Sequence, residues 1–251
     1  MLTEERHRII LDLLKEKEAV KIQDIVDVTS ASESTIRRDL TQLEEQKYLK
    51  RIHGGASRLQ GKLKELSVSE KSSKSYQEKQ MIGEYAANLI EDGDCIFIDA
   101  GTTTLSMIDY LSSKDIVVVT NGLTHIDLLL QKGINTYIIG GRVKPVTKAM
   151  VGSGAVESLR QYRFDKAFMG TNGVHPQYGF TTPDPEEAQV KRTAIELSRE
   201  AVFLADESKF GEIAFSKIVD LEKAEIITNA FNDKEHSVSF KNQTTIKVVT
   251  T

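Results

Sequence analysis

Cys95-Ile96-Phe97-Ile98-Asp99-Ala100-Gly101-Thr102-Thr103-Thr104 carries the pattern that decides the larger part of this chain. Four apolar residues run without interruption, stop at an aspartate, and pass through a glycine into a threonine-rich helix start. An unbroken apolar run of strand length, bounded by turn residues, reads as a strand covered on both faces. The pattern recurs downstream. Residues 116–120, 136–139, 165–169, 201–205, 226–228 and 246–249 read as further strands. Helical spacing is expected between them over 78–90, 102–111, 123–132 and 183–200. Such alternation predicts an α/β domain, a parallel sheet with helices on both faces. In these sheets ligands sit beyond the carboxyl ends of the strands. The places to look are therefore residues 99–104, Thr120-Asn121-Gly122, Gly140-Gly141-Arg142, Gly170-Thr171-Asn172-Gly173 and Asp206-Glu207-Ser208-Lys209.

The first sixty residues follow a different rule. Ile9, Ile10, Leu13 and Leu14 share one helical face, and Ile22, Ile25 and Val26 mark a short second helix. Thr29-Ser30-Ala31-Ser32 is a turn whose last residue suits the N-cap of a third helix. In that helix Ile36, Leu40 and Leu43 face one way. At 100° per residue Ser34, Arg38 and Thr41 face the other, with Arg37 on the flank. A strand-like basic segment over 48–59 follows, broken by Gly54-Gly55, a hairpin signal in which both glycines are expected at positive φ. Helix, helix, turn, helix and basic hairpin predict an α+β winged helix-turn-helix, with the third helix sized for the major groove and the wing reaching phosphates.

Charge is distributed accordingly. The formal net charge of the 251 residues is −4, but residues 1–80 carry sixteen Lys/Arg against fourteen Asp/Glu. Residues 81–251 carry the other seventeen against twenty-three, so +2 is followed by −6. From Lys47 to Lys64 there are six Lys/Arg, His53 and no acid. Such a cluster is either a footprint for a polyanion or a solvated strip. A hydrophobic share of 39% and a charged share of 28% are ordinary for a globular chain. No apolar run approaches the ~20 residues a spanning helix needs. The single cysteine, Cys95, excludes an internal disulfide and the usual Cys-rich zinc modules. The five histidines are scattered, and the start MLTEERHRII has charges where a signal peptide would be apolar. A cytoplasmic chain without metal or cofactor is expected.

The strand-end loops admit two readings each. Gly101-Thr102-Thr103-Thr104 opens a helix, where unpaired N–H groups and hydroxyls suit a phosphate; it can equally be an ordinary Thr cap. It has neither the lysine and spacing of a P-loop nor the glycine spacing of a dinucleotide site. Lys209, Arg142 and Asn121 are either ligand contacts or ordinary polar residues. Glu187 and Lys191 are most simply a solvent-facing i,i+4 pair, with Glu186 beside them.

Taken together, Ala31-Ser32-Glu33-Ser34-Thr35-Ile36-Arg37-Arg38-Asp39-Leu40, then Leu43-Glu44 and His53-Gly54-Gly55-Ala56, resemble the DNA-binding domain of DeoR-type bacterial repressors. Asp99-Ala100-Gly101-Thr102-Thr103, Thr120-Asn121, Gly140-Gly141, Phe164-Asp165 and Asp206-Glu207-Ser208-Lys209-Phe210-Gly211 resemble the same family's effector domain. The stretch Gly179-Phe180-Thr181-Thr182-Pro183-Asp184 is most similar to fructose-operon repressors, whose effector is a phosphorylated fructose, commonly fructose 1-phosphate. The resemblance implies a ribose-5-phosphate-isomerase-like effector domain and a homo-oligomeric repressor. Ser34, Thr35, Arg37 and Arg38 would enter the groove, and Lys50, Arg51, His53 and Arg58 would lie in the wing. The effector would be held by Asp99, Gly101, Thr102, Thr103, Thr104, Asn121, Arg142 and Lys209. Expected boundaries are 1–58 for the DNA-binding domain, 59–74 for a polar linker and 75–251 for the effector domain. The rival expectation is a sugar-phosphate isomerase fused to a DNA anchor. Against it, the loop over 170–173 lacks a carboxylate, and the isomerases' general-base glutamate would fall near Lys191.

Overall fold

In a computed structural model, residues 2–17, 19–46, 48–52, 54–58, 65–112, 115–231, 240 and 243–250 are described. The chain divides into two compact units, Met1–Gly61 and Lys62–Thr251.

The first unit holds α1 (Thr3–Glu16), β1 (Ala19–Lys21), α2 (Ile22–Thr29), α3 (Glu33–Glu45), β2 (Leu49–Ile52) and β3 (Gly55–Arg58). Its strands form an antiparallel sheet in the order β1-β3-β2. Ile10, Leu14, Ile25, Ile36, Leu40, Leu43 and Leu49 close a small core, which includes the expected α3 face. The wing turn differs from its reading. Ile52 pairs with Gly55, so Gly55 belongs to the returning strand and not to the turn. Of the two glycines only Gly54 has positive φ, at 76°. Gly55 is glycine for another reason: a Cβ there would lie 2.0 Å from the Val20 carbonyl oxygen, because β1 comes in against β3.

The second unit is built on seven parallel strands. These are β4 (Cys95–Ile98), β5 (Val117–Thr120), β6 (Asn135–Ile138), β9 (Phe164–Gly170), β12 (Ser198–Leu204), β14 (Glu225–Thr228) and β15 (Ile246–Val248). Each answers to one of the seven strands read from sequence. Their order is β15-β14-β12-β9-β4-β5-β6. Residues alternate between two cores, Phe97 and Ala167 on one face, Ile96, Ile98 and Phe168 on the other. The first face is covered by α8 (Ser153–Leu159) and α9 (Pro185–Glu196), the second by α5 (Tyr76–Asn88), α6 (Thr102–Ile108) and α7 (Ile126–Gln131).

Several short elements escaped the sequence reading. The two-residue strands β7 (Arg142–Val143) and β8 (Met150–Val151) pair antiparallel. The strands β10 (Gly173–His175), β11 (Gly179–Thr182) and β13 (Ser216–Val219) make a separate antiparallel sheet. The helix expected over 183–200 ends at Glu196, and β12 begins two residues later. The apolar spacing there was continuous because the helix and the strand both bury side chains in one core. Within the stretch expected as a linker, Val68–Ser73 form α4, started by a capping box between Ser67 and Glu70.

Candidate functional site

The surface of α3 is set by its start. Ser32 Oγ accepts from the Thr35 N–H at 3.3 Å and so fixes the first turn. Ile36, Leu40 and Leu43 are then buried while Ser34, Arg37 and Arg38 are exposed, as their spacing requires. Arg37 reaches back to Glu33 at 3.2 Å. Two residues the sequence reading passed over hold the helix in place. Asp39 is buried and accepts from Arg6 Nε at 2.7 Å and Nη2 at 3.0 Å, so α1 grips α3. The signal was available: at 100° per residue Asp39 lies about 40° from Leu43 and about 60° from Ile36, on the side away from Arg37, and so at the edge of the inner face.

The wing is less free than expected. The Arg51 guanidinium donates to Thr41 Oγ1 at 2.9 Å, and its N–H donates to Glu44 Oε1 at 2.8 Å. Arg51 therefore lies back on α3. Lys50 is half-buried, and burial pulls its pKa down against the nearby Glu44. His53 lies outside the described residues, as does the side chain of Arg58.

In the second unit the strand order reverses at β4. The chain leaves β4 toward β5 and β6, then returns to β9 on its other side. The loops after β4 and β9 diverge there, which opens a crevice at their carboxyl ends. A cavity of about 370 Å³ occupies it. Ala100, Gly101, Thr102 and Thr103 line it from the β4 loop, Gly170, Thr171 and Asn172 from the β9 loop, and Asp206, Ser208 and Lys209 from the β12 loop. The first-turn N–H groups of α6 have no partner further back in the helix.

Beneath this lining is a buried charge pair. Asp99 and Lys191 are 1% and 4% exposed, and the Lys191 ammonium donates to Asp99 Oδ2, which also accepts from the Gly170 N–H at 3.1 Å. Burial pushes the Asp99 carboxyl upward, and Lys191 opposes that. The pairing of Lys191 with Glu187 on a solvated face is thus corrected: both are buried. Ala188 and Ala194 lie within 60° of Lys191 on the helical wheel, which puts it on the apolar side of α9.

Glu187 belongs to a second cluster. Lys144 Nζ is 2.7 Å from Glu65, 2.8 Å from Asp184 and 2.9 Å from Glu187. Burial would lower the Lys144 pKa, but three carboxylates hold it above its ordinary value. Asp184 also caps α9, accepting from the Glu186 N–H at 2.7 Å. Glu187 accepts from Thr147 Oγ1 at 2.7 Å.

The expected effector residues separate into three groups. Gly101, Thr102, Thr103 and Lys209 line the cavity. Asp99, Thr104 and Asn121 are buried beside it and shape the loop. Asn121 Oδ1 accepts from the Ala100 N–H at 2.7 Å, and Thr104 Oγ1 donates to the Asp99 carbonyl at 2.6 Å. Thr104 also meets His125 at 3.4 Å, whose buried ring has its pKa pulled down to about 4 by desolvation. Arg142 stands apart, exposed on β7 and paired with Glu186. Sequence reading missed Lys71, Lys74, Lys79 and Lys191, which also line the cavity. The first three sit in or next to the supposed linker, where lysines read as solvation.

A winged helix with an outward basic helix, joined to a parallel-sheet domain with a cationic crevice, defines a DNA-binding regulator with a ligand-sensing domain. The DeoR-like helix-turn-helix domain model matches residues 6–61, and the DeoR C terminal sensor domain model matches 74–230. The chain belongs to the DeoR family of transcriptional repressors. It is 52% identical over 250 residues to the HTH-type transcriptional regulator FruR of Bacillus subtilis, covering 99% of each chain. It is 35% identical to the lactose phosphotransferase system repressor of Staphylococcus epidermidis, over 90% of this chain and 91% of that one. A solved ribose 5-phosphate isomerase A from Methanocaldococcus jannaschii aligns over 53% of each chain at 20% identity and a TM-score of 0.40. The relatives are named as regulators and repressors, not as enzymes, and the isomerase expectation is set aside. Among the described residues no helix is long and apolar enough to cross a membrane, and no grouping of His, Cys, Asp and Glu suits a metal ion.

Proposed function

We propose that a phosphorylated sugar, with fructose 1-phosphate as the first compound to test, controls DNA binding by occupying the crevice between β4 and β9. The observation that carries this is the charge of the lining. Lys71, Lys74, Lys79, Lys191 and Lys209 face it, against Glu65, Glu187 and Asp206. Two of those carboxylates are already engaged by Lys144. With the buried partners counted, Asp99 on Lys191 and Asp184 on Lys144, six ammonium groups meet five carboxylates, and Lys71 is itself 3.2 Å from Glu65. The remaining positive charge suits a dianion that the acidic second unit as a whole would not attract. Thr102, Thr103 and the first-turn N–H groups of α6 supply hydrogen bonds to the phosphate, and Lys209 a balancing charge. Thr147, Asn172 and Glu187, which already hydrogen-bond within the wall, are the groups that a sugar's hydroxyls would meet.

On the DNA side, Ser34, Thr35, Arg37 and Arg38 read base edges, while Lys50, Arg51 and Arg58 meet phosphates, Arg51 after leaving Thr41. A single winged helix offers little contact area for a specific site, which favours a homo-oligomer on DNA. Calorimetry of the full chain against fructose 1-phosphate, fructose 6-phosphate and fructose tests the effector. Fructose is expected to bind at least about tenfold more weakly, since each charge-assisted hydrogen bond contributes roughly 1.5–3 kcal/mol. Thr103→Glu, which sets a carboxylate in the crevice, is expected to abolish the response to ligand and leave ligand-free DNA affinity unchanged. Equal affinity for fructose and its phosphates overturns the reading.

A further inference from the structure

Residues 65–73 fall between the stretches that the two family models match, yet they form part of the crevice wall. Three attachments hold this segment on the second unit. The Glu65 carboxylate meets Lys144 at 2.7 Å. The Val68 N–H donates to the Val146 carbonyl at 3.3 Å. At the far end Lys79, reaching out of α5, donates its ammonium to the carbonyls of Lys71 and, at 2.7 Å, Lys74.

Lys79 is the unusual member. It is 5% exposed, it lines the same crevice, and Asp206 and Lys209 of the β12 loop are close enough to bear on its titration. An ammonium has three donors. Two are spent on strap carbonyls, so one group faces both the strap backbone and the anion end of the crevice. Burial brings its pKa down to about 8, with Lys209 and Lys71 adding to the effect, so a bound anion would secure its proton.

We propose that residues 65–75 are a strap belonging to the effector site, and that Lys79 is its positioning residue. It seats the strap so that Lys71 and Lys74 face the anion, and an occupied crevice holds the strap down. This rests on the reading that a sugar phosphate binds in the crevice. The strap is also the covalent route toward the DNA-binding unit, so its seating gives occupancy a path along the chain.

Hydrogen exchange on the full chain, with and without fructose 1-phosphate or inorganic phosphate, tests the proposal. The amides of 65–75 are expected to slow about tenfold or more with the sugar phosphate. In Lys79→Met, which is expected to bind the ligand more weakly, this slowing is expected to be absent even at ligand concentrations that calorimetry shows to be saturating, and Lys79→Arg restores part of it. Should Lys79→Met fail to fold, the double variant Lys71→Ala/Lys74→Ala serves: it is expected to weaken the ligand about tenfold and leave exchange in α5 and α6 unchanged. Ligand binding with unchanged exchange over 65–75 overturns the strap and leaves the effector reading standing. Absence of any binding by calorimetry overturns both.

Discussion

On the outer face of α3 the charged residues Glu33, Arg37 and Arg38 face water; in the crevice of the second unit the same residue types are buried. The side chains of Arg37 and Glu33 are 54% and 58% exposed, and their ion pair is screened and weak. Those of Lys191 and Asp99 are 5% and 2% exposed, and neither could stand alone without a large desolvation penalty. The contrast separates two kinds of functional residue. An exposed arginine of this kind contributes little to the fold and is available to any partner of the right shape. A buried lysine is held by the fold, and the fold by it, before any ligand arrives.

The sharpest way to break that contrast is Lys191→Ala. It leaves Asp99 with the Gly170 N–H but no cation, and is expected to lower stability by about 3–5 kcal/mol in urea titrations at pH 7. Lys191→Met combined with Asp99→Asn should recover much of it. A loss below about 1 kcal/mol would mean the pair is dispensable and the two regions are alike.

Next in size is a pH effect confined to the buried region. His125 titrates near 6.5 when free and is pulled down to about 4 in the folded chain. Between those values the unfolded state takes up a proton that the native state refuses, so stability is present above pH 6.5 and falls as the pH drops toward 4. The loss amounts to about 3 kcal/mol over that interval. Urea midpoints on either side of the free histidine's pKa should show it, and His125→Gln should flatten the slope. An unchanged slope in the variant assigns the acid sensitivity elsewhere.

Arg38→Ala probes the exposed side. Operator affinity is expected to fall by about 1–3 kcal/mol with relaxed preference at one base pair. Urea stability should stay within about 0.5 kcal/mol. Gel shifts that show no change would remove α3 as the reading element. The smallest effect belongs to Lys50→Ala, which should reduce the slope of log affinity against log salt by about one unit on every sequence.

How much of this was legible in the sequence follows the same division. All seven parallel strands were readable, because strands covered on both faces are apolar throughout. The α3 face was readable because one side of it meets water and alternation survives. The short strands β7, β8, β10, β11 and β13 were not, since so few residues carry no period. In the crevice the β4 loop and Lys209 could be placed from their position after strands. The wheel places Lys191 between Ala188 and Ala194, but its partner was not readable, because β4 delivers Asp99 to it from ninety-two positions away. Lys79 was hidden differently: its partners are backbone carbonyls, which no side-chain pattern reports.

The position of β4 has a consequence for how the second unit comes into being. Ile96 pairs with Val118 on one side and with Lys166 on the other. The second pairing closes a loop roughly three times longer, which costs about 1 kcal/mol more in chain entropy. On the ribosome the first contact is within reach long before β9 has emerged. The seam between β4 and β9 is therefore late, and the crevice is that seam. Until the middle of the sheet has closed, the nascent second unit has no crevice at all.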